Sequence, residues 1–328
     1  MGIIRDTLEP SLDWCARQIY WRSKTLRNLR AYINKHRKKK PVTAFISEME
    51  LRNILTEIGV GSKSPVTLVH SSVNNWAIKN PENTEPFNSF ETAITTLNIL
   101  IELTEKNNAT LAMPTHPYYK ETANDPFIST IGLKLKYDPQ TTPCKVGLIN
   151  ELFRRYPNAK RSLFPLSSVT SIGPLTDELL KNNLNEEKPL PHGKYSPYYR
   201  IIENKGLIVS IGIPLIECLT IIHVSLELEK NPLLDWIYRD RVFDVVMDGN
   251  IEKEWIVREI HPATCRCWGE KMCERDLRNA EILHENIFAD VRIDWAFAQE
   301  IDDFITTKHN KNIYYPYPFL TLCRPLSQ

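Results

Sequence analysis

Three short apolar runs limit what this chain can fold into. "PVTLVHSS" (65–72), "ATLAMPTHP" (109–117) and "KGLIVSIGIPL" (205–215) are too short for helices and end in small polar residues, glycine or proline. Runs of this kind read as strands buried on both faces. Between the first two lies "PFNSFETAITTLNILIELTEKNN", with Phe90, Ala93, Leu97, Leu100 and Ile101 at helical spacing and asparagine at its end. "SEMELRNILTEIGV" reads as another helix, with Ser47 as its N-cap and Gly59 near its end. Strand, helix, strand in this order predicts an α/β fold, a central sheet with parallel strands flanked by helices. Ligands of such sheets collect outside the carboxyl ends of the strands. That places His70 and Ser71, Thr115 and His116, and the segment after Gly212 on one rim.

Composition removes several classes of function. The 328 residues carry 41 basic and 40 acidic side chains, so no global field draws the chain to nucleic acid. No run approaches the roughly 20 apolar residues of a membrane span, and "MGIIRDTLEP" lacks the basic and apolar regions of a signal peptide. The expected compartment is cytoplasmic.

The opening segment differs from the rest, which divides the chain into an N-terminal extension (1–45) and a main α/β domain (46–328). "LDWCARQIYWRSKTLRNLRAYINKHRKKK" mixes apolar and basic residues as a basic amphipathic helix does. Residues 14–40 either contact an anionic membrane surface peripherally, or pack as a helix on the main body with a solvated basic tail. Both readings stay open.

No phosphate loop and no Gly-x-Ser-x-Gly elbow occur, and eleven glycines are too few for a dinucleotide fingerprint. "REIHPATCRCWGEKMC" gathers His261, Cys265, Cys267 and Cys273, but its Cys-x-Cys-x5-Cys spacing is not a common zinc framework. Reduced thiols and no metal are the expectation. Among the histidines, His223 in "LTIIHVSLE" is flanked by Ile221, Ile222 and Val224. It needs a carboxylate partner to be more than a core residue.

The ordered segments "TLVHSS", "TLAMPT", "YDPQTTPCKVGLINELFRRYPNAKRS", "HGKYSP", "GLIVSIGI" and "LTIIH" resemble the aminoglycoside 3-N-acetyltransferase family over Thr67 to Glu259. The resemblance implies acetyl-CoA as co-substrate, bound in a cleft, and direct acetyl transfer to an amine. The family's Thr-x-x-His pattern falls on Thr220 and His223. Its partner carboxylate, behind the Asp248-Gly249 turn, falls on Glu259 with a one-residue slip, and Glu254 and Glu252 remain alternatives. Thr220, or a backbone N–H near Ser71 and Ser72, would meet the oxyanion. The CoA phosphates fall to His70, Ser71, Ser72 and Val73 and to Ser196, although Ser71 and Ser72 also read as plain helix caps. Glu121 and Asp125, after the "MPT" strand, are the candidates for orienting a small-molecule amino-sugar acceptor.

Three positions depart from the family pattern. Where relatives read Arg-Ser-x-His-Pro, this chain has Phe164 in "RSLFP", which suggests a less polar or stacked group in the acceptor site. An acid is expected three residues after His223, but Leu226 stands there and Glu227 follows. The glycine after "HSS" is missing. The acceptor is then an amino sugar of a cell-surface polysaccharide or an aminoglycoside antibiotic, with the basic extension and Phe164 favouring the former. The alternative is a catalytically silent family member acting as a binding or scaffold protein.

Overall fold

The computed structural model describes residues 23–36, 42–82, 85–120, 134–229, 234–247, 252–260 and 269–315, together with Cys15, Ile19 and Tyr20. Helix α1 (Lys24–His36) precedes strand β1 (Ala44–Ile46), helix α2 (Glu48–Ile58), strands β2 (Val66–Ser71) and β3 (Trp76–Ile78), helix α3 (Ser89–Lys106) and strand β4 (Thr110–Pro114). Then come β5 (Leu135–Tyr137), α4 (Leu148–Arg154), β6 (Lys160–Arg161), β7 (Val169–Ile172), α5 (Thr176–Leu180), α6 (Pro197–Glu203) and β8 (Leu207–Ile211). A 3-10 turn (Thr220–His223) runs into α7 (Val224–Leu228) and α8 (Leu234–Ile237). The chain continues through β9 (Tyr238–Val246), β10 (Glu252–Ile260), α9 (Glu270–Asn279), β11 (His284–Phe288), β12 (Val291–Phe297) and α10 (Ala298–His309).

Seven strands form the main sheet in the order β11-β12-β8-β2-β4-β7-β6. Its centre, β8-β2-β4, is parallel, with Thr67 opposite Leu207 and Val66 opposite Thr110. These are the three apolar runs of the sequence. β12 and β7 flank them antiparallel. The centre is buried on both faces because side chains alternate along each strand. Val69 and Val209 face the helices α2, α3 and α4, while Leu68 and Ile208 face α6, α9 and α10. Each such buried aliphatic side chain contributes about 1.5 to 3 kcal/mol.

Local signals hold where side chain and backbone agree. Ser47 and Glu50 form a capping box at the start of α2, with Ser47 N–H donating to the Glu50 carboxylate at 2.7 Å, and Gly59 closes the helix at φ 101°. Asn88 caps α3 in the same way. Ala93, Leu97, Leu100 and Ile101 form the buried face of α3, but Phe90 points outward.

A second sheet, β10-β9-β5, covers a separate cluster of Tyr119, Leu135, Tyr137, Phe164, Leu184, Phe243, Val245 and Val257. Its strands alternate apolar and charged residues, a weaker signal than an uninterrupted apolar run. On α1, Arg27 is buried, whereas Leu26, Leu29, Tyr32 and Ile33 are 40–63% exposed. Among the described residues no helix is long and apolar enough to cross a membrane.

Candidate functional site

The carboxyl ends of the three parallel strands open into a cleft of about 750 Å³. His70, Ser71, Ser72 and Val73 line it from β2, Pro114 and His116 from β4, and Ile213 from the end of β8. Lys145 to Asn150, leading into α4, close one side, and Glu217 to Thr220, with Ile222 and His223, close the other. Gly212 allows this arrangement. At φ 71° it passes beneath the hydrogen bond from Trp76 Nε1 to Ser72 O, 2.6 Å long, where any Cβ would overlap both partners. Ser71 Oγ donates to Asn150 Oδ1 at 3.3 Å, and Asn150 Nδ2 donates to Pro114 O at 2.7 Å, which ties β2, β4 and α4 together under the cleft.

His223 ends the 3-10 turn and lines the cleft. Burial, and after it the nearby His192, hold its imidazole well below the usual histidine range, so at neutral pH it is an unprotonated base. Burial likewise pushes His70 down to about 4. His116 is held well below its usual range by burial and then by Lys145, with smaller contributions from His192, His70 and Arg161. Its Nε2 lies 3.1 Å from the Tyr198 hydroxyl. Tyr198 also bonds the Thr220 side chain, and burial pushes its phenol well up. Thr220 itself donates to Cys218 O at 3.2 Å.

The geometry corrects several sequence expectations. Glu259 is not brought to His223. It stands directly across the β9–β10 ladder from Arg239, accepts from Arg239 Nε at 2.7 Å and lies 3.5 Å from Arg241. The alternatives are also engaged on that sheet, Glu254 with Lys134 at 2.9 Å and Glu252 with Lys136. Phe164 is not a cleft residue: it is 2% exposed in the core beneath the second sheet. Ser196 is the N-cap of α6, accepting from Tyr199 N–H at 3.1 Å, and does not line the cleft. Thr115 is buried against Thr170 at 2.9 Å. Ser72 N–H donates to Ile211 O at 2.9 Å and is spent as an oxyanion donor. Ser71 and Ser72 cap no helix, because strand pairing carries β2 into the β3 turn. Glu121, Asp125, Asp248, Gly249, His261, Cys265 and Cys267 lie outside the described residues. Cys273 is buried in α9 within the apolar core.

The carboxylate that does lie behind this side of the cleft is Glu227, four residues after His223 on α7. It accepts from His192 N–H at 2.7 Å and from the Tyr238 hydroxyl, and His192 Nδ1 lies 2.8 Å from it. The His192 ring stacks on His223, with centroids 5.0 Å apart and planes 23° from parallel. The sequence offered only a weak trace of this: an acid one place later than expected, and a histidine opening "HGKYSP". Lys145, the cation on the wall opposite, carried no motif at all.

The family profile of the aminoglycoside 3-N-acetyltransferases matches residues 68–308. Aminoglycoside N(3)-acetyltransferase IX of Micromonospora chalcea is 32% identical over 89 residues, 26% of this chain and 30% of that protein. Aminoglycoside N(3)-acetyltransferase III of Acinetobacter baumannii is 31% identical over 105 residues, 31% of this chain and 35% of that protein. The chain thus aligns with about a third of the length of these curated relatives. Among solved structures, AAC-IIIb in binary complex with CoASH has the same fold, with a TM-score of 0.63 at 15% identity over 82% of this chain and 97% of that one.

Proposed function

The chain belongs to the aminoglycoside 3-N-acetyltransferase family, and from that premise we propose that it transfers acetyl from acetyl-CoA to an amino group of a sugar. The observation that carries this reading is His223, an unprotonated imidazole on the wall of a cleft at the carboxyl ends of the parallel strands. Ser71, Ser72 and Val73, with Lys145 opposite, give the cleft the polar and cationic lining that a CoA phosphate chain needs. The family relationship supports the same co-substrate.

The acceptor ammonium first releases a proton to solvent. As its nitrogen attacks the thioester carbonyl, a second proton passes to His223. The tetrahedral intermediate then collapses, the C–S bond breaks, and the CoA sulfur leaves with the proton returned from the imidazolium. Thr220 is the oxyanion donor, its hydroxyl turning from Cys218 O to the developing charge, an interaction typically worth about 3 to 4 kcal/mol. No acyl-enzyme is required.

Among the described lining residues, Glu217 is the one carboxylate. A polycationic aminoglycoside finds little charge there to match, so an acceptor with a single amine, such as an amino sugar of a cell-surface polysaccharide, fits the lining better. The outward apolar face of α1, flanked by Lys24 and Arg30, supports contact with an anionic membrane surface where such a glycan is lipid-linked.

The test is thiol release from acetyl-CoA with glucosamine and with an aminoglycoside as acceptors. His223→Ala should lower turnover at least about a hundredfold, the usual scale of a general base. Glu259→Gln, remote from the base, should leave turnover nearly unchanged. Equal rates for wild type and His223→Ala would remove His223 from the mechanism.

A further inference from the structure

The clamp beneath His223 is built differently from a simple His–carboxylate pair. Glu227 and His192 are both about 2% exposed, and the carboxylate receives three donors: the His192 backbone N–H, the His192 ring and the Tyr238 hydroxyl. With so many bonds the pair is fixed in place, and the proton on His192 Nδ1 is assigned to the Glu227 side. Its ring face then lies against the face of His223. Tyr198 on α6 tilts against the other part of the His192 ring at 5.3 Å, which leaves the imidazole little freedom to turn. His116 lies beyond Tyr198, Thr220 opens the turn that carries His223, and His70 and Lys145 face the same cleft.

We propose that His192, clamped by Glu227, is a positioning residue for His223: its ring, stacked face to face, fixes the plane of the base. The inference rests on reading His223 as the general base. It assigns the carboxylate a role one residue removed from that base. The stack holds the two rings face to face, with 5.0 Å between their centroids. Proximity to His192 is accordingly one of the two causes that hold His223 down.

Two substitutions separate the parts of this role. His192→Phe keeps an aromatic face and removes the ring nitrogen that meets Glu227. His192→Asn keeps an N–H that can reach Glu227 but removes the ring, and so satisfies the buried carboxylate if the phenylalanine variant fails to fold. Ring-nitrogen NMR of histidine-labelled full-length protein, with the His223 signal assigned through His223→Ala, reads the titration of His223 without any acceptor. The midpoint should rise by about one pH unit or more in both variants, because each removes a close neighbour that holds His223 down. The acidic limb of kcat/KM, with acetyl-CoA and glucosamine, should move up with it, because the base must be neutral to act. At pH above that limb, kcat should fall at least about tenfold for His192→Asn, the lower end of what a mispositioned catalytic group costs, and fall less for His192→Phe, which keeps the stacked ring. An unchanged midpoint in both variants would overturn the proposal, as would a uniform loss of rate with an unmoved pH profile. If the midpoint moves but wild-type protein releases no thiol with either acceptor, the acetyltransfer reading fails while the control of His223 by His192 stands.

Discussion

Phe164 shows how a single side chain changes meaning once its neighbours are known. Beside the Arg-Ser-x-His-Pro pattern it reads as an altered contact in the acceptor site, yet its ring is enclosed by Tyr119, Tyr137, Leu184, Phe243 and Val257. Its role is to fill the space between the second sheet and the body. Phe164→Ala should therefore cost about 3 to 5 kcal/mol in urea unfolding, the range for a large aromatic removed from a packed core. Acetyl-CoA affinity of the fraction still folded should be unchanged. A cost below about 1 kcal/mol, with weakened cofactor binding, would return Phe164 to the cleft. The residues that line the cleft, His70 to Val73, His116, Thr220 and His223, follow strand β2, strand β4 and the turn beyond β8, where topology decides their neighbours. Glu259 and Ser196 were carried by spacing. Spacing cannot reveal that Arg239 lies across the ladder from Glu259, or that Ser196 is occupied by the N–H of Tyr199. His192 and Glu227 are 35 residues apart, and no periodicity in the chain links them.

At the scale of elements, the central strands were legible because burial on both faces writes an unbroken apolar run. The flanking antiparallel strands and the β9–β10 hairpin alternate polar and apolar residues, and their partners are distant in sequence. The hairpin also explains why the acids after the Asp248-Gly249 turn are unavailable for catalysis. Glu259 faces Arg239 across the ladder, while Glu254 and Glu252 reach Lys134 and Lys136 beside β5, and ion pairs of this kind contribute about 0.2 to 1 kcal/mol each. Helix α1 presents the opposite case, an element whose apolar side the body leaves open. Leu26, Leu29 and Ile33 fall at helical spacing and are all exposed. Sedimentation with vesicles containing phosphatidylglycerol should retain wild-type protein and lose most of it when Leu29→Glu and Ile33→Glu are combined, while thiol release on a soluble acceptor stays the same. Equal retention of the double variant, or equal binding to pure phosphatidylcholine, would assign that face to a different partner.

Across the whole molecule, the two faces of one sheet carry two apolar clusters, and the cleft opens where the parallel strands end between them. Strands β2, β4 and β8 present the wall proposed for acetyl-CoA. The proposed base, His223, arrives on a short turn fixed from beneath by α7, the His192 loop and β9. This division lets the acceptor side diverge without disturbing the acetyl-CoA side, and it makes cofactor binding the property on which the functional account depends. The most direct test is a calorimetric titration of the full-length protein with acetyl-CoA, which needs no knowledge of the acceptor. The account predicts saturable one-to-one binding with a Kd in the micromolar range, about −8 kcal/mol, retained in His223→Ala because that variant removes the base and not the cofactor wall. No saturable binding to wild-type protein would contradict the acetyltransferase reading and leave a family member that keeps the fold without the reaction.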